Sequence, residues 1–201
     1  MTSQQIVIVN TGCANISSVK FAVERLGKKV TVSDDIKVIK QADKVFLPGV
    51  GSANAAMASI EKKQLVSCIR GLTQPVLGIC LGMQLMVQKS AESLSDSTPC
   101  LGLMPGQVKR MQVGNLRLPH MGWNTVTPID NAPLFRGIDT GSYFYFVHSF
   151  AVAVSELTMA SCQYGMNFSA AINKDNFFGV QFHPERSSDA GAQLLKNFIN
   201  L

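Results

Sequence analysis

The chain has 201 residues, of which 46% are hydrophobic and 15% are charged, and its formal net charge is +5. This composition excludes an intrinsically disordered protein, and the length suits one domain spanning residues 1–201. The 18 lysines and arginines are scattered and form no basic run, so we expect no nucleic-acid partner. No apolar run approaches the roughly 18 residues that cross a bilayer, and the N-terminus lacks a signal-peptide pattern, so we expect no membrane association.

The cysteine pattern indicates a reducing environment. There are five cysteines, and no two of them form a Cys-x-x-Cys pair. An odd number without such pairs argues against a disulfide framework or a zinc site and predicts a cytoplasmic protein. Cys80 differs from the rest because glycines stand on both sides of it. The remaining four are predicted to be small buried residues: Cys13, Cys68, Cys100 and Cys162.

The first half of the chain alternates short apolar runs with amphipathic segments. Strands are predicted at 6–9, 29–32, 44–47 and 76–79, and helices at 16–26, 54–60, 63–72 and 83–87. This alternation predicts an α/β fold with a largely parallel central sheet flanked by helices. Two glycine-containing loops, 48–51 and 78–82, follow successive strands. Both are therefore expected at the carboxyl edge of the sheet, where α/β proteins form their sites.

The second half of the chain has a different pattern. A polar, non-periodic stretch at 91–99 is predicted to be an exposed loop. Beyond it, short strands separated by turn residues are predicted at 107–113, 122–128, 143–147, 150–154, 158–163, 169–173 and 177–181. These predict additional antiparallel strands on the same core, followed by an amphipathic helix at 190–199.

The segment Gly78-Ile79-Cys80-Leu81-Gly82 joins a predicted strand to a predicted helix. A cysteine between two glycines at such a turn is the thiol counterpart of a nucleophile elbow. The glycines allow a sharp turn, and the start of the following helix favours the thiolate, which is the reactive form of the sulfur. The pattern therefore predicts that Cys80 is a nucleophile.

A cysteine nucleophile needs a base, and the base needs an acid that orients it. Of the three histidines, His183 follows a predicted strand and has Glu185 two residues later, with Pro184 stiffening the turn between them. Alone, a His-x-Glu pair is more often a surface ion pair. Together with the elbow, it predicts a triad of Cys80, His183 and Glu185. His148 has no such acid and is predicted to be a histidine of the core or of the substrate pocket.

Three motifs together resemble the class I glutamine amidotransferases. They are Leu47-Pro48-Gly49-Val50-Gly51, Gly78-Ile79-Cys80-Leu81-Gly82-Met83-Gln84 and Phe182-His183-Pro184-Glu185. Within this class, Pro119-His120-Met121-Gly122-Trp123-Asn124 and the stretch 143–150 are similar to the glutaminase subunits of imidazole glycerol phosphate synthases, which act in histidine biosynthesis. The resemblance covers nearly the whole chain and implies a flavodoxin-like fold.

The resemblance also implies roles for individual residues. Cys80 would attack the side-chain amide of glutamine to give a thioester and ammonia, with His183 moving the proton and Glu185 orienting the ring. The oxyanion would be stabilised by the amides of Val50 and Leu81. The amino-acid end of glutamine would be held by Gly49, Gly51, Gln84, Ser149 and Phe150.

The family uses the ammonia in a separate (β/α)8-barrel cyclase subunit, so the resemblance implies a heterodimer. The residues expected at that interface are Asn15, His120, Trp123 and Tyr145, although Asn15 also suits the N-cap of a helix. No cofactor or metal is expected, because the chain has no P-loop and no metal-ligand spacing. Two alternatives are a stand-alone cysteine hydrolase or peptidase and a catalytically silent binding subunit. Gln84 and the loop 48–51 argue against the first, and the intact triad argues against the second.

Overall fold

A computed structural model describes residues 4–12, 15–92 and 97–201. Cys13, predicted to be buried, lies outside these residues. The strands are β1 (Ile6–Val9), β2 (Val30–Ser33), β3 (Lys44–Gly49), β4 (Val76–Cys80), β5 (Lys89–Ser90), β6 (Thr98–Pro99), β7 (Gln107–Arg110), β8 (His120–Thr125), β9 (Thr127–Pro128), β10 (Tyr143–His148), β11 (Phe150–Val152), β12 (Thr158–Tyr164), β13 (Met166–Lys174) and β14 (Phe177–Val180). The helices are α1 (Ile16–Arg25), α2 (Ile36–Gln41), α3 (Ala53–Lys62), α4 (Val66–Arg70), α5 (Leu81–Gln84) and α6 (Ser188–Ile199), with 3-10 turns at Pro133–Phe135 and Pro184–Arg186.

The central sheet has eight strands in the order β2-β1-β3-β4-β14-β13-β12-β9. The strands from β2 to β14 run parallel, and β13, β12 and β9 continue the sheet antiparallel. This confirms the predicted fold class. Strands β1, β3, β4 and β14 are buried at every position, as expected for parallel strands covered on both faces.

Helices cover both faces of the sheet, and β1 shows how its residues divide between them. Ile6 and Ile8 pack in one cluster with buried residues of α1 and α6. Val7 and Val9 pack in the other with buried residues of α2, α3 and α4. This division follows from the alternation of side chains along a strand.

Two smaller sheets lie outside the central one. β10 pairs with β8, and β11, β7, β5 and β6 form a four-stranded sheet. The predicted loop at 91–99 is wrong at its end, because β6 pairs with β5 and Thr98 is buried. The polar composition of the stretch hid this short strand; residues 93–96 lie outside the described ranges. No helix within the described ranges is long and apolar enough to cross a membrane.

The helix after Cys80 also differs from its prediction. The sequence predicts it at 83–87, but α5 covers Leu81–Gln84 and Cys80 is its N-cap. The helix therefore begins directly at the predicted nucleophile. At the start of α1, Asn15 occupies the N-cap position, but its side chain makes no capping hydrogen bond.

Candidate active site

A cavity of about 400 Å³ lies at the carboxyl edge of the parallel strands. β3, β4 and β14 are neighbours, and Gly49 at the end of β3 stands opposite Cys80 at the end of β4. The cavity is lined by Asn15, Val50, Gly51, Cys80, Leu81, Gln84, Glu92, Pro119, Val147, His148, Ser149, Phe150, His183 and Arg186. The edge predicted from the two glycine loops therefore does carry a cavity.

Cys80 lies in a tight elbow between β4 and α5. Its φ is +54°, a conformation that L-residues rarely adopt and that is often found at functional sites. The neighbouring glycines permit close packing, since a Cβ on Gly82 would lie 1.7 Å from the carbonyl oxygen of Leu47. A Cβ on Gly78 would lie 2.7 Å from the amide nitrogen of Met83. Larger residues at either glycine would push α5 away from the sheet and move the sulfur.

His183 is fixed by its main chain and by its ring. Its N–H donates to the carbonyl of Tyr145 at 2.9 Å. Its Nδ1 donates to Oε1 of Glu185 at 2.8 Å. The other ring nitrogen, Nε2, is buried and has no hydrogen-bond partner among the described residues. Burial alone lowers the pKa of His183, but hydrogen bonding and charge from the adjacent Cys80 and Glu185 raise it to about 10.

Glu185 is a buried acid with one partner. Its side chain is 1% exposed, and Oε2 has no hydrogen-bond partner among the described residues. A buried carboxylate is costly unless it is paired with a positive charge. The short contact to His183 therefore favours a protonated imidazole. A cysteine beside a protonated imidazole has the environment typical of nucleophilic thiols.

Two buried glutamines connect the cavity wall to the sulfur. Nε2 of Gln84 donates to the carbonyl of Phe150 and to Oε1 of Gln181, both at 2.9 Å. Nε2 of Gln181 in turn donates to Sγ of Cys80 at 3.8 Å. Gln181 was not among the predicted site residues. Its signal was a polar residue directly after the apolar strand β14, where the side chain is fully buried.

Glu92 is a second wall residue that was not predicted, because it stands in the stretch expected to be an exposed loop. Its Oε2 accepts a hydrogen bond from the backbone N–H of Ala53 at 2.7 Å. That amide belongs to the first turn of α3, where a negative charge is favourable. The structure thus adds a carboxylate to the cavity wall. Nothing local to the sequence around Glu92 indicates this position.

Most of the residues predicted to contact substrate lie on the cavity wall. These are Val50, Gly51, Leu81, Gln84, Ser149 and Phe150. Gly49 does not line it and is fully buried against the elbow, where a Cβ would lie 2.9 Å from the amide nitrogen of Gly82. The structure therefore gives Gly49 a packing position against the elbow, and its contact with substrate stays a prediction.

Two of the four residues predicted to face a partner form an exposed aromatic group. Trp123 is 50% exposed and lies edge-to-face with Tyr145, with ring centroids 6.0 Å apart. The guanidinium of Arg186 lies 4.5 Å above the Tyr145 ring. We call these three residues the aromatic face. Asn15 lies on the wall of the cavity.

The prediction that His120 faces a partner is wrong, because its side chain is only 3% exposed. Side chains alternate along β8, so His120 and Trp123 point to opposite faces of the strand. Nδ1 of His120 lies 3.0 Å from Nε2 of His148, and Nδ1 of His148 lies 2.9 Å from the carbonyl of Phe150. Burial lowers the pKa of His120 to about 4 and that of His148 to about 3. Both rings are therefore neutral, and His148 is a buried histidine on the cavity wall, as predicted.

The described ranges contain no group of three or more histidine, cysteine or acidic residues arranged to hold a metal ion. What the cavity contains is a sulfur, an imidazole whose pKa is raised and which has a buried acid behind it, and polar groups along the wall. Such an arrangement suits acyl transfer through a covalent thioester.

Comparison with known proteins identifies the class. A family model described as glutamine amidotransferase class-I matches residues 7–201. The chain therefore belongs to the class I glutamine amidotransferases, a family of enzymes.

Comparison with individual relatives shows which members of this family the chain is similar to. The chain is 58% identical to the imidazole glycerol phosphate synthase subunit HisH of Colwellia psychrerythraea, over 100% of this chain and 95% of the relative. It is 57% identical to the HisH subunit of Pectobacterium atrosepticum, over 98% of this chain and 100% of the relative. A crystal structure described as a glutamine amidotransferase has a TM-score of 0.74 at 16% identity. That comparison covers 96% of this chain and 97% of the other, and it supports the fold.

Proposed function

We propose that this chain is the glutaminase subunit of an imidazole glycerol phosphate synthase. It hydrolyses glutamine to glutamate and ammonia, and a cyclase subunit uses the ammonia to form imidazole glycerol phosphate and aminoimidazole-carboxamide ribonucleotide. The observation that carries the chemical part is the position of Cys80 beside His183, whose pKa is raised to about 10. The names and full-length similarity of the relatives support the synthase assignment.

The proposed reaction has two stages. Sγ of Cys80 attacks the side-chain amide carbon of glutamine, and His183, which holds its proton at neutral pH, gives it to the departing nitrogen. Ammonia leaves, and a γ-glutamyl thioester remains on the sulfur. The ring, now neutral, removes a proton from water, and the resulting hydroxide attacks the thioester and releases glutamate. Thiolate and protonated imidazole are restored, while Glu185 holds the ring through both stages.

The oxyanion of each tetrahedral intermediate needs donors that are in place before the charge develops. The amide of Leu81, the first residue of α5, is one proposed donor, and the amide of Val50 is the other. Both residues line the cavity. Gly51 has φ +89° and open space where a Cβ would stand, so the peptide beside Val50 has room to turn. We propose that docking of the cyclase subunit turns this peptide toward the oxyanion.

The wall offers groups that suit the amino-acid end of glutamine. Because both N–H bonds of the Gln84 amide are already used, the group it can offer to a substrate is its carbonyl oxygen. That oxygen and the carboxylate of Glu92 would accept hydrogen bonds from the α-ammonium group of glutamine. The carbonyl of Phe150 already accepts from Gln84 and His148, so its proposed role is to hold those two side chains.

The aromatic face is the proposed docking surface for a (β/α)8-barrel cyclase subunit, which gives a heterodimer. Exposed aromatic and arginine side chains are the types most enriched in interface hot spots. The mobile reactant, ammonia, would become unreactive ammonium in bulk water near neutral pH, so the cyclase has to cover the site. The four cysteines within the described ranges are free thiols, which fits a reducing cytoplasm.

The function is tested with Cys80→Ala in the assembled complex. We expect loss of synthesis from glutamine and retention of synthesis from added ammonium salts, because only ammonia production uses the sulfur. Cys162→Ala is the matched control, since burial raises the pKa of that thiol to about 12 and it lies outside the cavity. Activity on peptides with none on glutamine would overturn the proposal, as would loss of the ammonium-driven reaction in a correctly assembled Cys80→Ala complex.

The docking surface is tested separately with Trp123→Ala. Truncation of a central aromatic residue typically weakens an interface by about 2 kcal/mol or more, so the dissociation constant should rise about thirtyfold. Val154→Ala, at a position that is also 50% exposed but outside the aromatic face, should leave it unchanged. Calorimetric titration with the cyclase subunit measures both. Equal affinities for the two variants would remove the aromatic face from the proposed interface.

A further inference from the structure

The hydrogen bonds that connect Phe150 to Cys80 through Gln84 and Gln181 allow only one orientation of the two side-chain amides. The carbonyl of Phe150 can only accept, so the Gln84 amide has to turn its NH2 group toward it. The same NH2 group also lies 2.9 Å from Gln181, which has to present its oxygen to Gln84. The NH2 group of Gln181 therefore faces Sγ of Cys80. The carbonyl at the start of this series fixes which end of Gln181 meets the sulfur.

The position of Gln181 is unusual for a residue with no chemical role. Its side chain is fully buried, and it follows a strand that is apolar at every position. Burying an amide is unfavourable unless its polar atoms have partners, whereas an apolar side chain of similar size would carry no such requirement. Among the described residues, Gln84 and the sulfur are the partners of this amide. Its main chain is fixed independently, because its N–H donates to the carbonyl of Ala170 at 2.8 Å.

We propose that Gln181 is a positioning residue for the nucleophile. Its Nε2–H group donates to Sγ of Cys80, favours the thiolate and holds it in place beside His183. Through Gln84, the same amide connects the sulfur to the wall that holds the amino-acid end of glutamine. This inference rests on the proposed function, because it assigns a second stabilising group to the nucleophile of that reaction. Gln181 contributes no charge and transfers no proton.

The test measures the thiolate directly in the free chain, by the rate of alkylation of Cys80 with iodoacetamide as a function of pH. Mass spectrometry of the peptide that contains residue 80 separates this reaction from that of the other cysteines. Gln181→Met keeps the length and removes the donor. Gln181→Glu keeps an acceptor for Gln84 but offers no N–H to the sulfur. Asn176→Leu is the matched control, because it removes an amide that donates to Leu72 and Gln74, both at 2.9 Å, before the opposite end of β14.

In Gln181→Met, we expect the midpoint of the alkylation profile to rise by about one pH unit, which is a tenfold smaller thiolate fraction at a given pH and corresponds to about 1.4 kcal/mol. Gln181→Glu should move the midpoint in the same direction. Asn176→Leu should lower stability against urea and leave the midpoint where it is in the wild type. A residue with a purely structural role would change the urea midpoint alone.

A wild-type alkylation profile in either folded Gln181 variant would overturn the inference. If Gln181→Met does not fold, an unchanged midpoint in Gln181→Glu still overturns the inference, because loss of the donor and the negative charge of the new carboxylate would both raise it. The outcome is separable from that of the proposed function. Failure of the wild-type complex to hydrolyse glutamine would refute the function whatever the alkylation profiles show. Unchanged profiles in a complex that does hydrolyse glutamine would refute the role of Gln181 only.

Discussion

Replacing Glu185 with glutamine removes the negative charge behind His183 and keeps the shape of the side chain. The rise in the pKa of His183 from 6.5 to about 10 corresponds to about 5 kcal/mol in favour of the protonated ring, shared between Cys80 and Glu185. An opposite charge in contact is worth about one to three pKa units. The pKa of His183 should therefore fall toward its ordinary value in Glu185→Gln, a loss on the order of a few kcal/mol in favour of the protonated ring.

Glu185→Gln should lower the rate of glutamine hydrolysis more than it weakens the binding of glutamine. A positioned acid and base typically contributes a factor of about 10² to 10⁴, and here the same ring serves in both roles. We expect Glu185→Gln to lower kcat for glutamine hydrolysis in the complex by about a hundredfold, with little change in KM. The new amide also buries an NH2 group where Oε2 has no partner, so a modest loss of stability should accompany the loss of activity.

NMR titration of the His183 ring measures the first effect, and steady-state kinetics in the complex measures the second. Asp189→Asn is the matched control, because this exposed acid lines the same small cavity as Glu185 but makes no contact with the ring. If the His183 titration in Glu185→Gln coincides with that of the wild type, the carboxylate does not hold the proton on the ring. A resting state in which Glu185 keeps His183 protonated would then be refuted.

Further predictions concern packing and pH. Gly82→Ala should destabilise the protein and slow alkylation of Cys80, because the new Cβ would overlap the backbone. In the control Gly114→Ala the new Cβ meets no described atom within 4 Å, so the free energy of unfolding should fall only by the roughly 1–2 kcal/mol that a left-handed conformation costs an L-residue. Urea unfolding compares the two variants, and equal losses would show that close packing at Gly82 does not matter. His120 and His148 stay neutral in the folded protein as the pH falls below 6.5, whereas the unfolded chain takes up protons at both. The free energy of unfolding should therefore drop by on the order of 6 kcal/mol by pH 4, about half from each histidine, and the His120→Phe variant should lose part of that dependence. A wild-type dependence in this variant would refute the assignment. The raised pKa of His183 acts oppositely: its stabilisation is complete below pH 6.5 and should be lost as the pH rises toward 10, which unfolding in a Glu185→Gln background would show as a weaker alkaline loss.

The sequence predicted the features that depend on neighbouring residues in the chain. The elbow at Cys80 is readable because an apolar run, two glycines and a helix start lie within a few positions. The pair of His183 and Glu185 is readable because only two residues separate its members. Both features are local, and the structure has both, with the helix of the elbow starting two residues earlier than the pattern placed it.

Features that depend on contacts across the fold were not readable. A polar residue directly after an apolar strand marks Gln181, but only its approach to Gln84 and Cys80 shows a role. His120 was grouped with Trp123 because they are close in sequence, although the two-residue period of a strand already separates them onto opposite faces. Burial at β6 and the position of Glu92 on the cavity wall depend on partners elsewhere in the chain, so polarity alone misled the prediction.

The strand order decides which residues meet the nucleophile. β14 belongs to the second half of the chain, yet it pairs parallel with β4, and Val180 stands opposite Ile79. One position further along both strands, Gln181 is level with Cys80, while Gly49 is level with it on the other side. The chain bends after β14, and Gln181 and His183 both lie beside the sulfur. A register slip between β14 and β4 would shift the bend that follows β14, and the site would lose its base and its amide donor together.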